Sequence, residues 1–319
     1  MKAIIRQGYG GPEALAFTEL PMPSVSEDQV LVRVRASSVN AHDWHMLRGK
    51  PYLARFSEGL RNPKGTEIGL DVAGEVQAIG QDVTHVKPGD RVFGSRYGAF
   101  AEYISGKNMV PMPSNVTFEQ AAAVPTAGQT ALQGIRDHGG VQAGHRVLVN
   151  GAGGGVGTSA VQIAKAFGAD VTAVTSARNA DMVRSIGADR VLDYAREDFT
   201  RGRDRYDVIL DVGGRPSLSR MRRALTPKGT VVMVAPQPGQ WIGPIARMAG
   251  GVVLSRIGGQ RFVGYLATVS RDDLLFLKGL IEAGKLRPVI DRTYPFDQVP
   301  EAIRYMEAGH VAGKIVITL

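Results

Sequence analysis

The segment from residue 146 to residue 167, RVLVNGAGGGVGTSAVQIAKAF, constrains the fold more than any other part of the chain. Its apolar run 147–149 predicts a short strand, and a cluster of glycines follows it. Apolar residues then recur at helical spacing: Val156, Ala160, Ile163, Ala164 and Phe167. Glycines let backbone N–H groups approach an anion, and the start of a helix adds unpaired N–H groups and a favourable dipole. This strand, turn and helix therefore predict a phosphate-binding turn.

The spacing of the glycines indicates that the turn binds the pyrophosphate of a dinucleotide. A literal G-x-G-x-x-G starting at Gly151 fails, because its third glycine would be Val156. The register that fits is Ala152 for the tight turn, Gly154 for the close approach of the phosphate, and Gly157 for packing of the helix on the strand. The alternative is a flexible glycine loop between two core elements. The predicted phosphate contacts are Ala152, Gly153, Gly154, Gly155, Val156 and Gly157.

The end of the next predicted strand, ADVTAV, favours NADPH over NADH. NAD-specific turns usually place an Asp or Glu about 20 residues after the glycines to bind the ribose 2′-hydroxyl. Here the strand end offers Thr175, Ser176 and Arg178, whereas Asp170 precedes the strand and Asp181 lies beyond it. Hydroxyl groups and a guanidinium suit a 2′-phosphate. The alternative is that Arg178 is a solvated residue at the start of a helix.

Composition indicates a two-domain globular protein. The 319 residues are 44% hydrophobic and 21% charged, which is ordinary for globular chains and long for one domain. The formal net charge is +8, and the densest basic stretch, RPSLSRMRRALTPKG, is typical of one face of a surface helix. Nucleic-acid binding is the alternative use of such a charge, and we expect no nucleic-acid partner.

Cysteine is absent from the chain, which excludes disulfides and thiolate-ligated metals. The first residues, KAIIRQ, are strand-like, so we expect no targeting segment and a cytoplasmic location. The longest nearly uncharged stretch, 229–255, is interrupted by Pro236, Pro238 and Pro244, and we therefore expect no membrane span.

The order of the predicted elements divides the chain into three parts. Residues 1–122 contain short strands separated by turns and predict a mostly-β domain. Residues 123–258 alternate strands with helical segments, which predicts a parallel sheet wrapped by helices. Residues 259–319 predict helices and a final strand, KIVITL, that returns to the first domain.

Two local patterns give more detailed predictions. Thr117 and Gln120 fit a capping box for a helix that ends at Pro125. The apolar run GVVLS at 251–255 predicts a strand whose edge pairs with a second subunit.

These segments together resemble the medium-chain dehydrogenases/reductases, in their zinc-free NADPH quinone oxidoreductase-like branch. The matching segments are SSVNAHDWHMLRG, GLDVAGEVQAIG, VKPGDRVFG, GAFAEY, PTAGQTAL, NGAGGGVGTSAVQIAKAFGA, GADRVLDY, DVILDVGG and GHVAGKIVI. The resemblance covers essentially the whole chain. It implies an α/β fold with a GroES-like mostly-β catalytic domain and a Rossmann doubly wound parallel-sheet cofactor domain, an active-site cleft between them, and a homodimer or another homo-oligomer.

The resemblance also bears on zinc. Zinc-dependent relatives use a Cys and a G-H-E motif for the catalytic ion, whereas this chain has Gly69, Leu70 and Asp71 and no Cys. His42, Asp43 and His45 are close in sequence and form an alternative metal site. A structural turn fits this cluster better because it contains no soft ligand. We therefore expect no bound metal.

Without a metal ion to polarise the substrate, we expect an acceptor that is already electrophilic. Quinones and related α,β-unsaturated carbonyls are such acceptors. We expect hydride transfer from NADPH to such a small molecule. An enone, 2-alkenal or enoyl-thioester double-bond reductase shares every motif and remains an alternative, because acceptor choice depends on residues 45–65 and 241–262. An NADPH-binding regulatory protein without catalysis is the alternative from another class.

Particular residues follow from the resemblance. Asn40 matches a contact to nicotinamide or substrate, Asp43 matches the family's N-x-x-D, and Tyr52 lies near a substrate-facing tyrosine; the alternative for Asn40 and Asp43 is a turn and a helix cap. His45 is a candidate proton donor near neutral pH or a surface histidine. The implied coenzyme contacts are Thr126 and Thr130 near the nicotinamide ribose, Tyr194 at the adenosine end, and Asp211, Val212 and Gly213 at the sheet crevice.

Overall fold

The structure is a computed structural model that describes residues 1–52, 55–214, 216–234, 243–256 and 258–319. The chain forms two compact units. The first contains Met1–Gln129, Val269–Glu282 and Pro288–Leu319, and the second contains Thr130–Thr268 and Ala283–Arg287. The predicted domain boundaries at residues 122 and 258 precede the divisions between the units, which follow Gln129 and Thr268.

The described residues form the following strands and helices. The strands are β1 (Lys2–Arg6), β2 (Leu15–Glu19), β3 (Val30–Val39), β4 (Asp71–Ile79), β5 (Arg91–Ser95), β6 (Tyr103–Gly106), β7 (Met109–Pro111), β8 (Arg146–Asn150), β9 (Asp170–Thr175), β10 (Arg190–Asp193), β11 (Tyr206–Asp211), β12 (Leu225–Met233), β13 (Arg261–Gly264), β14 (Ile290–Pro295) and β15 (Lys314–Thr318). The α-helices are α1 (Ala41–Arg48), α2 (Arg55–Glu58), α3 (Phe118–Ala122), α4 (Pro125–Leu132), α5 (Gly155–Ala166), α6 (Ala180–Ser185), α7 (Leu218–Arg223), α8 (Gly243–Ser255), α9 (Arg271–Glu282) and α10 (Val299–Glu307).

The first unit is built on a mixed seven-stranded sheet. Its strand order is β14-β15-β3-β4-β5-β7, with β6 also paired to β3. Strand β15 lies parallel to β14 and antiparallel to β3, so the C-terminal residues belong to this unit. Alternate residues of β3 point into the core, where Val30, Val32 and Val34 are buried, as the period of a half-buried strand requires.

The core of the first unit has two apolar clusters. One contains Val30, Val32, Val34, Val72, Val76, Val92, Ile104 and Met109. The other contains Ile4, Val39, Leu47, Ile68, Phe100, Val299, Ile303, Ile315 and Ile317. Helix α10 contributes Val299, Ala302 and Ile303 to the second cluster, and residues Pro288–Leu319 belong to this unit.

The second unit has the parallel sheet that the alternating pattern predicts, in the doubly wound topology that the family resemblance implies. Its sheet has the order β10-β9-β8-β11-β12-β13, and every neighbouring pair is parallel. The strand order reverses between β8 and β11, and ligands of such sheets bind at the carboxyl ends of the strands at that point. The prediction of an α/β fold is therefore confirmed, and the glycine turn after β8 lies at the switch point.

The predicted strand at 251–255 is wrong. These residues form the last part of helix α8, with the side chains of Val252 and Val253 more than half exposed. A Cβ at Gly251 would lie 3.2 Å from atoms of both Met233 and Phe262, so glycine brings this helix close to β12 and β13. The two edge strands of the sheet are instead β10 and β13.

The predictions at 117–125 are confirmed in part. Thr117 and Gln120 form the predicted capping box at the start of α3. Helix α3 ends before Pro125, and Pro125 begins α4 rather than ending a helix. Proline is tolerated there because the first N–H groups of a helix have no intrahelical partner. Within the part of the chain that the structure describes, no helix combines the length and the apolar character needed to cross a bilayer.

Candidate active site and coenzyme site

The glycine turn joins β8 to α5 in the second unit. Gly151 has φ 90°, a left-handed conformation that favours glycine. The N–H groups of Gly151 and Ala152 both donate to the Val174 carbonyl at 3.0 Å, which holds the turn against β9. The tight-turn role predicted for Ala152 therefore belongs to Gly151, and Ala152 is a fully buried packing residue.

Gly154 and Gly157 have different surroundings. The predicted roles differ in the same way, because Gly154 is expected to leave space for a phosphate and Gly157 to let the helix pack on the strand. A Cβ at Gly157 would lie 2.2 Å from the Gly151 carbonyl oxygen, so only glycine lets α5 pack this closely. A Cβ at Gly154 would meet nothing within 4 Å, so the space over this N-cap residue is open. Gly155, Val156 and Gly157 follow as the first turn, whose N–H groups have no intrahelical acceptor. The turn thus fits an anion, and contact with a phosphate stays a prediction.

The residues predicted for the adenosine end lie where β9 and β10 finish. Thr175 is buried, and its Oγ1 and the Nδ2 of Asn179 lie 2.6 and 2.5 Å from the position that a Cβ on Gly153 would occupy. Arg178 is exposed and forms no ion pair with another described residue. The Tyr194 side chain is half exposed, and its N–H donates to the Thr175 carbonyl at 3.1 Å.

One acidic side chain lies beside this strand end. Asp193 of β10 is in register with Thr175 of β9. Its carboxylate already accepts the Ala195 N–H at 3.0 Å and lies 3.7 Å from the Arg196 guanidinium. Ser176 is the N-cap of the short 3-10 turn that carries Arg178, so a hydroxyl and a guanidinium follow β9 directly.

Asp211 forms internal bonds at the crevice end of β11. Its fully buried carboxylate accepts from Asn150 Nδ2 at 2.7 Å, from the Gly214 N–H at 2.9 Å and from Arg247 Nη2 at 2.8 Å. The N–H groups of Val212 and Gly213 donate to the Asn150 carbonyl at 2.9 and 3.0 Å. These three predicted coenzyme contacts therefore join β8, β11 and α8, and sequence reasoning missed their partners Asn150 and Arg247.

In the first unit, a buried cluster surrounds Asp71 at the start of β4. Asp71 Oδ2 accepts from Ser38 Oγ at 2.7 Å, Asn40 Nδ2 at 3.0 Å and Lys314 Nζ at 3.2 Å. Asp71 Oδ1 accepts from the backbone N–H and the hydroxyl of Thr126 at 2.9 and 2.5 Å. We call Ser38, Asn40, Asp71, Thr126 and Lys314 the Asp71 cluster.

Lys314 is the cation of the Asp71 cluster, and its side chain is only 5% exposed. Its ammonium donates to the Val39 carbonyl at 3.2 Å and to Asn40 Oδ1 at 2.5 Å as well as to Asp71. The three donors of the ammonium are thus all used, which is what a charge at this depth needs.

Two predicted site residues are members of the Asp71 cluster. Asn40 is buried, its amide N–H groups donate to Asp71 and to the Ser38 carbonyl, and its Oδ1 accepts from Lys314. Only one lone pair of Oδ1 is left for a ligand. The hydroxyl of Thr126 is committed to Asp71, whereas the carbonyl of Thr130 accepts from the Tyr265 hydroxyl in the second unit.

Asp43 is a buried helix cap. Its Oδ2 accepts the Asn40 N–H at 2.7 Å at the start of α1. Burial raises the pKa of this carboxyl to about 7, and the negative charge of Asp71 raises it further, whereas the backbone N–H of Asn40 and the Lys314 ammonium lower it. The capping alternative stated for Asp43 is therefore the one that the geometry supports.

His45 and Tyr52, the other predicted catalytic residues, do not join these groups. The His45 ring lies against Trp44 with centroids 4.2 Å apart, and its buried Nδ1 has no hydrogen-bond partner among the described residues. Burial lowers the pKa of His45 to about 4, so the ring is neutral near pH 7 and does not fit the expected proton donor. Tyr52 packs under the guanidinium of Arg55, 4.8 Å from its ring centroid.

The acidic and histidine side chains near α1 do not converge on one point. His42 Nε2 is hydrogen-bonded to the Tyr97 hydroxyl at 2.8 Å, whereas Asp43 faces the Asn40 backbone. Across the described ranges, no group of three His, Asp or Glu side chains is arranged to hold a metal ion. Parts of the segments named for acceptor choice, residues 53–54, 241–242 and 257, lie outside the described residues.

Sequence reasoning missed several residues of these sites, namely Ser38, Gly151, Asn150, Tyr97, Arg247 and Lys314. One signal was available, because Lys314 is a lone charge at the head of the apolar strand KIVIT. A lysine there must be buried with a partner, although nothing in the sequence identifies Asp71 as that partner.

Comparison with known proteins agrees with the fold of both units. The alcohol dehydrogenase GroES-like domain matches residues 26–114, and the zinc-binding dehydrogenase family matches residues 186–317. Quinone-oxidoreductase QR1 of Triphysaria versicolor is 33% identical over 99% of this chain and 98% of its own length. The NADPH-dependent alkenal/one oxidoreductase of Arabidopsis thaliana is 33% identical over 99% of this chain and 79% of its own length.

A solved structure is also similar to this chain over its whole length. The quinone oxidoreductase of Coxiella burnetii superimposes with a TM-score of 0.86 at 30% identity, covering 100% of this chain and 99% of that one. The resemblance noted from the motifs is thereby confirmed. The chain belongs to the medium-chain dehydrogenase/reductase superfamily, in its quinone oxidoreductase-like branch.

Proposed function

We propose that the protein is an NADPH-dependent oxidoreductase that reduces quinones or related α,β-unsaturated carbonyls without a metal ion. The observation that carries the proposal is the open N-terminus of α5, where a Cβ on Gly154 meets nothing and a Cβ on Gly157 would meet the Gly151 carbonyl. This geometry serves close approach of a pyrophosphate at the switch point of a parallel sheet. The relatives named as quinone and alkenal/one oxidoreductases support the acceptor class.

The residues that would hold the coenzyme are in the second unit. The backbone from Gly153 to Gly157 would bind the pyrophosphate, and Ser176 with the exposed Arg178 would bind the 2′-phosphate. Arg178 supports NADPH because an exposed guanidinium without an ion-pair partner among the described residues suits a phosphate dianion. When bound, the coenzyme supplies the hydride.

The first unit supports metal independence through the Asp71 cluster. Asp71 stands where zinc-dependent members have the Glu of G-H-E, and its two oxygens already accept from Ser38, Asn40, Thr126 and Lys314. The ammonium of Lys314 therefore balances the negative charge of Asp71, as a nearby metal cation would otherwise do. Metal analysis of the purified protein tests this part, and a stoichiometric metal required for turnover would contradict it.

The main experiment is a turnover panel that follows NADPH consumption. The acceptors are ortho- and para-quinones, 2-alkenals, cyclic enones and a crotonyl thioester. Turnover of quinones supports the first choice, whereas turnover restricted to alkenals, enones or the thioester identifies a double-bond reductase. Tight binding of NADPH with no turnover of any acceptor would instead identify a regulatory protein and refute the enzyme.

The proposal also includes a homodimer in the cytoplasm. Strand β13 is one of the two edge strands of the second unit's sheet, and an open edge can pair with a second copy. The absence of cysteine means that no oxidising compartment is needed. Light scattering coupled to size exclusion tests the dimer, and fluorescence of a tagged chain in the source cell tests the location.

A further inference from the structure

The proposed reaction needs a proton as well as a hydride, and no role assigned above to a residue supplies that proton. We propose that the Tyr97 hydroxyl gives this proton to the oxygen of the bound acceptor, and that His42 returns a proton to Tyr97. The inference rests on the proposed function, because it names the acid of that same reaction.

The two side chains meet in a small cavity of the first unit. His42 is in the first turn of α1, and Tyr97 lies in the turn after β5. Their atoms Nε2 and Oη are 2.8 Å apart. Both residues line a cavity of about 210 Å³, together with Arg6, Asp43, Glu58 and Ile68 among others.

Tyr97 is the reachable acid of this cavity. The residue is 44% exposed and lines the cavity, so a ligand in the cavity can contact it without a rearrangement. Burial of its remaining surface raises the pKa of the phenol, and the charges of Glu58 and Asp43 raise it further, whereas Arg6 lowers it. The hydroxyl therefore keeps its proton at neutral pH and is able to donate it.

His42 is suited to pass a proton on as a neutral imidazole, and not to act as a protonated imidazolium donor. Burial lowers the pKa of its imidazole, and the charge of Arg6 lowers it too, whereas Glu58 raises it. A neutral imidazole carries one proton and one free lone pair on its two nitrogens. Such a ring passes a proton on from one nitrogen while it takes one up at the other.

The other titratable groups near α1 are less suitable. Asp43 is 1% exposed and its Oδ2 is used by the Asn40 N–H. His45 is absent from the cavity wall, and its Nδ1 is buried without a partner among the described residues. The guanidinium of Arg6 donates to the carbonyls of Gly65 and Met46 and is therefore used to hold the backbone.

The proton balance of the step is simple. Hydride addition to the conjugated carbon leaves two electrons on the acceptor, with the negative charge at its oxygen. The Tyr97 O–H bond breaks as a new O–H bond forms on that oxygen, giving a phenolate and an enol. From a quinone this enol is the keto tautomer of the hydroquinone, which becomes the hydroquinone when a proton moves from the reduced ring carbon to the second oxygen. The phenolate then takes the Nε2 proton of His42 while His42 Nδ1 takes a proton from water, so that both side chains end neutral and the imidazole has changed tautomer.

The size of the cavity limits the acceptor. Pockets for whole drug-sized ligands measure about 300–1,000 Å³, so a space of about 210 Å³ suits the carbonyl end of an acceptor or a small molecule such as a cyclic enone. Cyclohexenone and a para-quinone are therefore the substrates of choice for the test.

The decisive variant is Tyr97→Phe, which keeps the ring and removes the acid. We expect kcat with either substrate to fall by about 10²–10⁴-fold, the usual contribution of a general acid, with the Kd of NADPH unchanged. Tyr103→Phe on β6 is the matched control and is expected to keep wild-type kcat. If Tyr97→Phe keeps wild-type kcat, the proposal is overturned.

His42→Gln tests the relay, because glutamine retains a polar partner for Tyr97 but cannot shuttle a proton. We expect a smaller fall in kcat and a changed solvent isotope effect on it. An unchanged rate and isotope effect would remove His42 from the mechanism.

A measurement without turnover completes the test. Nitrogen NMR of labelled histidine reports the tautomer of His42, which should change on adding cyclohexanone, the saturated product, to wild type but not to Tyr97→Phe. The absence of a change in wild type counts against the shared site. If wild type consumes no NADPH with any acceptor, the proposed function fails and this inference with it, whereas an active wild type with an equally active Tyr97→Phe overturns only the inference.

Discussion

The ammonium of Lys314 donates to Asn40 Oδ1 at 2.5 Å, across 274 positions of the chain. The same ammonium lies 3.2 Å from Asp71 Oδ2, and both charged side chains are almost completely buried. This contact fixes the orientation of the Asn40 amide, because it assigns Oδ1 to the lysine and leaves the N–H groups for Asp71 and Ser38. The Asp71 cluster is thus a positioning element as well as a buried ion pair.

Lys314→Met is expected to destabilise the first unit strongly. The change keeps the length of the side chain but leaves the Asp71 carboxylate buried without its cation, which costs about 3–5 kcal/mol in comparable buried pairs. Urea unfolding measures the loss. The control is Lys278→Met, which breaks the exposed Lys278–Glu282 pair and should cost no more than about 0.5 kcal/mol. Equal stability of the two variants would contradict the structural role of Lys314.

Gly154→Ala and Gly157→Ala should separate coenzyme binding from folding. A methyl group at Gly154 has free space in the protein but occupies the space proposed for the pyrophosphate, so the melting temperature should be unchanged while NADPH binds at least about 10-fold more weakly. A methyl group at Gly157 would lie 2.2 Å from a carbonyl oxygen, and overpacking of this kind costs about 1–3 kcal/mol or more. Calorimetry and thermal melting measure the two effects, and unimpaired binding by Gly154→Ala would refute the phosphate site.

Arg178→Ala should lower the preference for NADPH over NADH by roughly 10- to 150-fold. The estimate takes about 1.5–3 kcal/mol for a charge-assisted hydrogen bond to the 2′-phosphate. Arg184→Ala on α6 is the matched control, because Arg184 is exposed but already paired with Asp181. The ratio of the two Kd values measures the effect. An unchanged ratio would mean that Arg178 is only a solvated residue.

Asp43 should make the protein less stable as the pH rises from about 4 to about 7. The pKa of its carboxyl is raised from 3.8 to about 7 in the folded state, so the folded chain holds a proton there that the unfolded chain releases. The stabilisation is complete below the unfolded value and is lost as the pH passes the folded value. One such proton gives a slope of at most about 1.4 kcal/mol per pH unit.

Asp43→Asn checks this slope, because asparagine can still accept the Asn40 N–H but does not titrate in this range. The difference in unfolding free energy between wild type and variant should change with pH between about 4 and about 7 and be flat outside that window. Parallel curves across the whole range would show that Asp43 is not protonated in the folded protein.

Local patterns predicted the second unit well. The strand, glycine turn and helix of 146–167 correspond to β8 and α5, because hydrophobic period and turn chemistry agree over that segment. The capping box at Thr117 was predicted for the same reason. The tight turn was predicted at Ala152 and lies one residue earlier, at Gly151. The sequence alone does not show that Gly151 has a positive φ and that the methyl group of Ala152 is buried.

Contacts between distant segments were not predictable. Lys314 and Asp71 are 243 positions apart, and pairing them requires the knowledge that β15 adds beside β3, which in turn pairs with β4. The run GVVLS had the composition of a strand, but close packing of Gly251 on Phe262 stabilises it as part of a helix. His42 and Tyr97 likewise meet only because the fold brings α1 and the turn after β5 together.

The place of β15 between β14 and β3 has a consequence for biosynthesis. The first unit completes its sheet with a strand that is synthesised after the whole second unit, whereas most of the second unit is a continuous stretch from Thr130 to Thr268. The second unit is therefore free to fold while translation continues, and the first has to wait with residues Ala36 to Val39 of β3 unpaired on one side. A nascent chain stalled shortly before residue 314 should resist protease in the second unit while its N-terminal segment is still cleaved.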